Sequence, residues 1–206
     1  TEARGDKSII AINELVDVLI PKRDEQPEDE ALEYYLGLDA PSERIGLWPT
    51  PGDSAGAGQI SREAFATALS KMRERWLKTP AFTEVRAQVH SLLQGQGEVM
   101  TTRELADALL ALRGCALSDD GERMRQASAV LRAAVEAEAA LESPRFQTFA
   151  HSPHALIATH SGWASYAIQL GAKADGCAQA DPLLAPQRVL ESLRAVPLPE
   201  VELGVQ

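Results

Sequence analysis

Residues 48–78 read WPTPGDSAGAGQISREAFATALSKMRERWLK, and the fold turns on how this stretch divides. Small residues come first, then glycines, then apolar residues at helical spacing after Ser61. That order predicts a short helix, a tight turn and a longer helix: a helix-turn-helix. In such a unit the first helix braces the second, which can lie in the major groove of DNA. Ala55 is small enough to let the two helices cross closely, and Gly58 supplies a permissive backbone at the turn. Ile60 and Phe65 plug the space between them. Ser61 is the expected N-cap of the second helix, and Arg62 falls in its first turn, where base edges are usually read. Gly52, Gly56 and Gly58 with Pro49 and Pro51 lower the helix propensity of the first segment. An ordinary helical corner is the competing reading.

Charge sets the limits on partners. The chain has 206 residues and a net charge of −10, which opposes indiscriminate binding to phosphate backbones. Residues 1–58 hold five Lys/Arg against thirteen Asp/Glu, whereas residues 59–95 hold six against three. The net-basic segment therefore contains the candidate recognition helix. A local basic face of this kind binds DNA with strong salt sensitivity. No apolar run approaches the roughly 20 residues needed to span a bilayer, and there is no signal-peptide pattern. Cys115 and Cys177 lie outside any CxxC or CxxH spacing, so two buried thiols of a cytoplasmic protein are expected rather than a disulfide. The chain starts at Thr1 rather than Met, as a piece of a longer protein would.

Outward from the central unit, residues 8–19 predict an amphipathic helix with Ile9, Ile12, Val16 and Leu19 on one stripe, Ser8 as cap and Pro21 as stop. Residues 28–38 predict a second helix, with Leu32, Tyr35 and Leu36 inward and Gly37 near its end. Trp48 is expected to tuck into the core. A further helix covers 80–93. QGQGE at 94–98 is the best boundary, dividing residues 1–95 from 96–206. Residues 99–100 suggest a short strand. Thr101 with Glu104 is a capping-box match opening a helix over 102–113, with Leu105, Leu109 and Leu112 inward and Gly114 as cap. A long helix runs from Asp119 or Asp120 to about residue 142, with Met124, Ala127, Leu131, Val135 and Leu141 along one face. The period then changes to alternation at 145–149, a turn at 151–154 and an apolar run at 155–159, a β-hairpin signature. Helices over 161–170 and 186–195 close the chain. The fold class is mainly α: an N-terminal helix-turn-helix helical domain, then a winged helix-turn-helix domain with the hairpin as its wing.

Signals for catalysis are thin. His151, His154 and His160 lie within ten residues, but solvated histidines at a wing tip are favoured over a zinc site. Gly56-Ala-Gly58 follows no strand and lacks the GKS or GKT ending of a phosphate-binding loop. No GxSxG, HExxH, HRD or DFG motif appears. The chain is not expected to be an enzyme, and no cofactor or metal is expected. For nucleic acid, Gln59, Ser61 and Arg62 are placed to face bases, and Lys71, Arg73, Arg75 and Lys78 to reach phosphates. Arg123, Arg125, Gln126 and Arg132 mark the outer face of the long helix, Arg125 and Arg132 being seven apart and so on one side. Arg145 and His154 belong to the wing. Against this, the arginine face can pair with Glu122, Glu136 or a neighbouring subunit, and the Ala-rich run at 133–140 suits close helix–helix contact.

The order of motifs carries a resemblance: LGLD at 36–39, WPT at 48–50, an ISRxxF helix, RERW at 73–76, GEVMTTRELADALLALRG at 97–114, SAVLRAAVEAE at 128–138 and PRF at 144–146. The chain resembles, over residues 8–196, the helix-turn-helix-rich region outside the kinase domain of PglW-type serine/threonine kinases of phage growth limitation (BREX-type) defence systems. The resemblance implies a non-catalytic DNA-binding or DNA-sensing regulatory module of a phage-defence kinase-like protein. Its partners would be duplex DNA, other defence proteins or a second copy of the chain, with no membrane. The alternative is a scaffold that docks defence components or dimerises without touching DNA. None of the kinase motifs occurs here. The first unit also departs from the usual AxxxG pattern, because Gln59 occupies the expected glycine position and Gly58 comes one residue early. A looser similarity is to region 4 of sigma factors.

Overall fold

A computed structural model describes residues 9–21, 26–39, 48–151 and 154–180, with backbone alone for 150, 151, 154 and 171–180. Among these residues the order is α1 (Ile12–Val16), α2 (Pro27–Leu36), α3 (Pro51–Ala57), α4 (Arg62–Lys78), α5 (Pro80–Gly95), β1 (Val99–Thr101), α6 (Thr102–Arg113), α7 (Asp120–Glu138), β2 (Gln147–His151), β3 (His154–Ala158) and α8 (Ser161–Ala180). The protein is mainly helical with one small antiparallel sheet.

The axis of the molecule is α7. Every residue from 127 to 135 is buried, as are Ala137 and Glu138. A helix enclosed all round must be apolar or paired on every face. Here its alanines let neighbours approach closely, and α1, α2, α4, α5 and α6 all pack against it. Apolar side chains from both sides of residue 95 join one continuous core around it, from Ile12 and Tyr35 through Trp76 and Val89 to Leu109, Phe146 and Ile157. Burial of this kind stabilises by about 1.5–3 kcal/mol per large side chain.

The sheet has the order β1-β3-β2. Met100 and Thr148 both stand opposite Ile157, on either side of the central strand, and α8 lies against the sheet. Turn chemistry fixes its approach. Thr101 accepts from the Glu104 N–H while the Glu104 carboxylate accepts from the Thr101 N–H at 2.9 Å, the expected capping box of α6. Gly114 ends α6 at φ +73°, a left-handed value that favours glycine.

Several sequence expectations need correction. The first helix is one short turn, α1, capped by no side chain and starting at Ile12; Leu15 joins the core in place of Ile9, which is 50% exposed. Its backbone is held from outside, since the Ile12 N–H donates to the Gly114 carbonyl at 3.1 Å. Leu112 and Leu141, both assigned inward, are exposed: Leu112 lies on the outer side of α6 next to the buried Arg113, and Leu141 falls beyond the end of α7 at Glu138. α8 runs ten residues beyond the expected end. Ser8 and the helix expected over 186–195 lie outside the described residues.

Candidate nucleic-acid interface

The α3–turn–α4 unit is built by caps and close contacts. Thr50 and Asp53 form a reciprocal capping box at the start of α3, with Pro51 in its first turn. Ser54 and Ala55 are buried where α3 meets α2 and α4. Ser61 caps α4 as expected, accepting from the Ala64 N–H at 3.1 Å.

The turn itself works differently from the sequence expectation. Gly58 has φ −80°, open to any residue. It is required for another reason: a Cβ there would stand 2.5 Å from the Pro27 carbonyl oxygen and 2.6 Å from the Ala31 Cβ, so glycine lets the turn abut α2. The left-handed residue is Gln59, at φ +51°.

The candidate cations on α4 divide by exposure. Arg62, Lys71, Arg75 and Lys78 are exposed, as are Gln59 and Ser61. Lys71, Arg75 and Lys78 fall at i, i+4 and i+7 and share one side of the helix, where Glu74 lies 3.7 Å from Lys78. Arg62 leans back over α3, its guanidinium 3.6 Å from where a Gly52 Cβ would be. Arg73 is drawn into the fold instead. Its Nε donates to Glu136 of α7 at 2.9 Å, and the Tyr35 hydroxyl donates to the other Glu136 oxygen.

The candidates on α7 and beside the hairpin are mostly internal. Arg132 does not lie on an outer face; it is 4% exposed. Its guanidinium lies against the Tyr35 ring and donates to the Tyr35 and Pro49 carbonyls, with the Trp48 ring on a further side. Trp48 in turn donates from Nε1 to Ser128 Oγ at 3.1 Å. Burial pulls the Arg132 guanidinium below its ordinary value, opposed by Tyr35 and Glu136. Burial likewise pushes the Tyr35 phenol up to about 12, Arg132 opposing and Glu136 adding. Arg123 pairs with Asp120 at 3.0 Å, and Arg125 and Gln126 are half-buried beside it. Arg145 is held by Glu138, which accepts from its backbone N–H at 3.0 Å and its Nε at 2.7 Å.

Glu138 was missed in the sequence. It is fully buried and also faces Arg86 of α5 at 3.7 Å. Burial opposes its ionisation, but Arg145 and Arg86 outweigh burial and hold its carboxyl below the ordinary range. A signal did exist: Glu136 and Glu138 stand alone in an Ala-rich run, and acids placed so must be paired if the helix is enclosed. His151 and His154 are backbone register partners at the end of the hairpin. His160 Nδ1 accepts from the Gly162 N–H at 3.0 Å, closing a local turn.

Against this geometry, one comparison bears on kinship. The chain is 30% identical over 219 aligned residues to the probable kinase PglW of Streptomyces coelicolor. It is related to a region of PglW. The alignment takes in 92% of this chain but spans 14% of the length of PglW. No family model matches the chain, and no solved structure matches it. Among the described residues no helix is long and apolar enough to cross a membrane.

Proposed function

We propose that this chain is a DNA-contacting regulatory module of a PglW-like phage-defence kinase, with α3 and α4 as a helix-turn-helix. The observation that carries the reading is the exposed set on this unit. Gln59, Ser61 and Arg62 gather at the start of α4, and Lys71, Arg75 and Lys78 follow along one side of it. The first group suits base edges and the second suits phosphates. Arg73, Arg132 and Arg145 are positioning residues in this reading, since they hold α4, α7 and the hairpin in place. The element order β1-α6-α7-β2-β3 with sheet order β1-β3-β2 supports a winged-helix arrangement for residues 96–206. Of the α7 candidates, Arg123, Arg125 and Gln126 in its first turns stay nearest the surface.

The test is anisotropy of a labelled DNA duplex titrated with this chain at low and moderate salt. Lys71→Ala, Arg75→Ala and Lys78→Ala together are expected to weaken binding at least tenfold and to lower the salt slope by roughly 3. No binding at low salt, or an unaltered slope, would sink the assignment.

A protein-interaction scaffold is the second reading, and the enclosure of α7 favours it. The helix that would read DNA in the winged unit is occupied by this chain's own α1, α2 and α4. Light scattering over a dilution series separates the two: a concentration-dependent dimer with no DNA affinity would replace the first reading with this one.

A further inference from the structure

Away from α4's basic side, a cleft of about 790 Å³ opens between α1 and α2. Val16, Ile20 and Leu38 form an apolar floor, and Asp17, Asp29, Glu30 and Glu33 stand at the rim. A second cleft of about 480 Å³ between α2 and α4 shares Asp29 and adds Glu28 and Glu63, with Lys71 of α4 also in its lining. Among the described residues none of the four rim carboxylates of the larger cleft belongs to an ion pair. Asp29 Oδ2 is shielded from solvent and accepts no hydrogen bond among the described residues, a condition that raises free energy until a donor arrives. Partial burial, with Asp39, Asp29 and Glu30 nearby, raises the Glu33 carboxyl.

We infer that the larger cleft is a docking site for a basic protein segment, one presenting an aliphatic side chain to the floor and lysines or arginines to the rim. Charge complementarity selects that occupant. A phosphate backbone is repelled by four carboxylates, and a small cation leaves the apolar floor uncovered. A basic segment with an aliphatic residue between its cations fits both parts, the aliphatic side chain covering the floor and the charged heads reaching the rim. The larger cleft is independent of the DNA reading, because it lies on the acidic first quarter of the chain and none of the α4 cations lines it.

The test uses the full chain and a labelled peptide of alternating lysine and leucine, read by anisotropy. Asp29→Asn, Glu30→Gln and Glu33→Gln together are expected to weaken binding about tenfold or more. Glu74→Gln, Asp107→Gln and Glu142→Gln together, an equal charge change on exposed positions elsewhere, are expected to leave it unaltered. Circular dichroism of both variants checks that the fold is kept. Equal weakening by the two sets would reduce the effect to overall charge and overturn the site. So would undiminished binding of a peptide with serine in place of leucine, since the floor would then contribute nothing. A tenfold gain on changing Lys22 and Arg23 to serine would show that the chain's own residues occupy the cleft, which also overturns an external partner.

Discussion

The Arg132 guanidinium of α7 lies 3.5 Å from the centroid of the Tyr35 ring of α2 and donates to the carbonyl of the same residue. One side chain thus ties the central helix to the end of α2, and through the Pro49 carbonyl to the start of α3. Arg132→Ala leaves two carbonyls without a donor and a void between two rings. A loss of about 3 kcal/mol is expected in urea denaturation. Arg132→Lys should recover only part of it, because an ammonium lacks the planar fork. A loss under about 0.5 kcal/mol would remove this tie from the account.

Tyr35 gives the fold an alkaline limit. Its phenol is pushed from 10.0 up to about 12 in the folded chain, so ionising it is harder there than in the unfolded chain. Its contribution is complete below pH about 10 and falls as pH rises toward about 12, by about 2–3 kcal/mol in all. The stability difference between the parent and Tyr35→Phe should therefore narrow over that interval. A constant difference would contradict the assignment.

Glu138 gives the opposite, acid limit. Its folded carboxyl lies below the ordinary value of 4.5, so its contribution is complete above that value and is lost as pH falls through the folded one. Glu138→Gln leaves Arg86 buried without its carboxylate and should cost about 3–5 kcal/mol at neutral pH. The gap between parent and variant should close in acid, which stability curves from pH 7 downward will show.

At the α3–α4 turn the two neighbouring residues should respond in opposite directions. Gly58→Ala drives a methyl into backbone and Cβ atoms of α2 and should cost about 2–3 kcal/mol. Gln59→Gly relieves a left-handed side-chain residue and should gain about 0.5–1 kcal/mol. Thermal melts of the two variants decide it; a tolerated Gly58→Ala would mean that the turn and α2 separate easily.

Local chemistry was legible along the chain. The capping residues Thr101 and Ser61, the start of the long helix at Asp119 or Asp120, the stop at Gly114 and the hairpin alternation all act within a few residues of one another. Such signals give helices and strands without knowledge of what lies opposite. Tyr35 and Phe65 could be assigned inward for the same reason, and they meet edge to face in the core.

The tertiary structure decided which side chains are free. Arg75 and Arg132 are the same residue type on long helices, yet one is exposed and the other enclosed by two aromatic rings. Nothing within a helical turn of either separates them, because the difference comes from partners 97 and 83 residues away. Gly58 is a similar case: its sequence neighbours suggest a turn, and its true constraint is α2. The sequence determined the elements, because hydrogen bonding and capping are local. Packing determined the candidate surface, because burial is a property of what arrives from elsewhere in the chain.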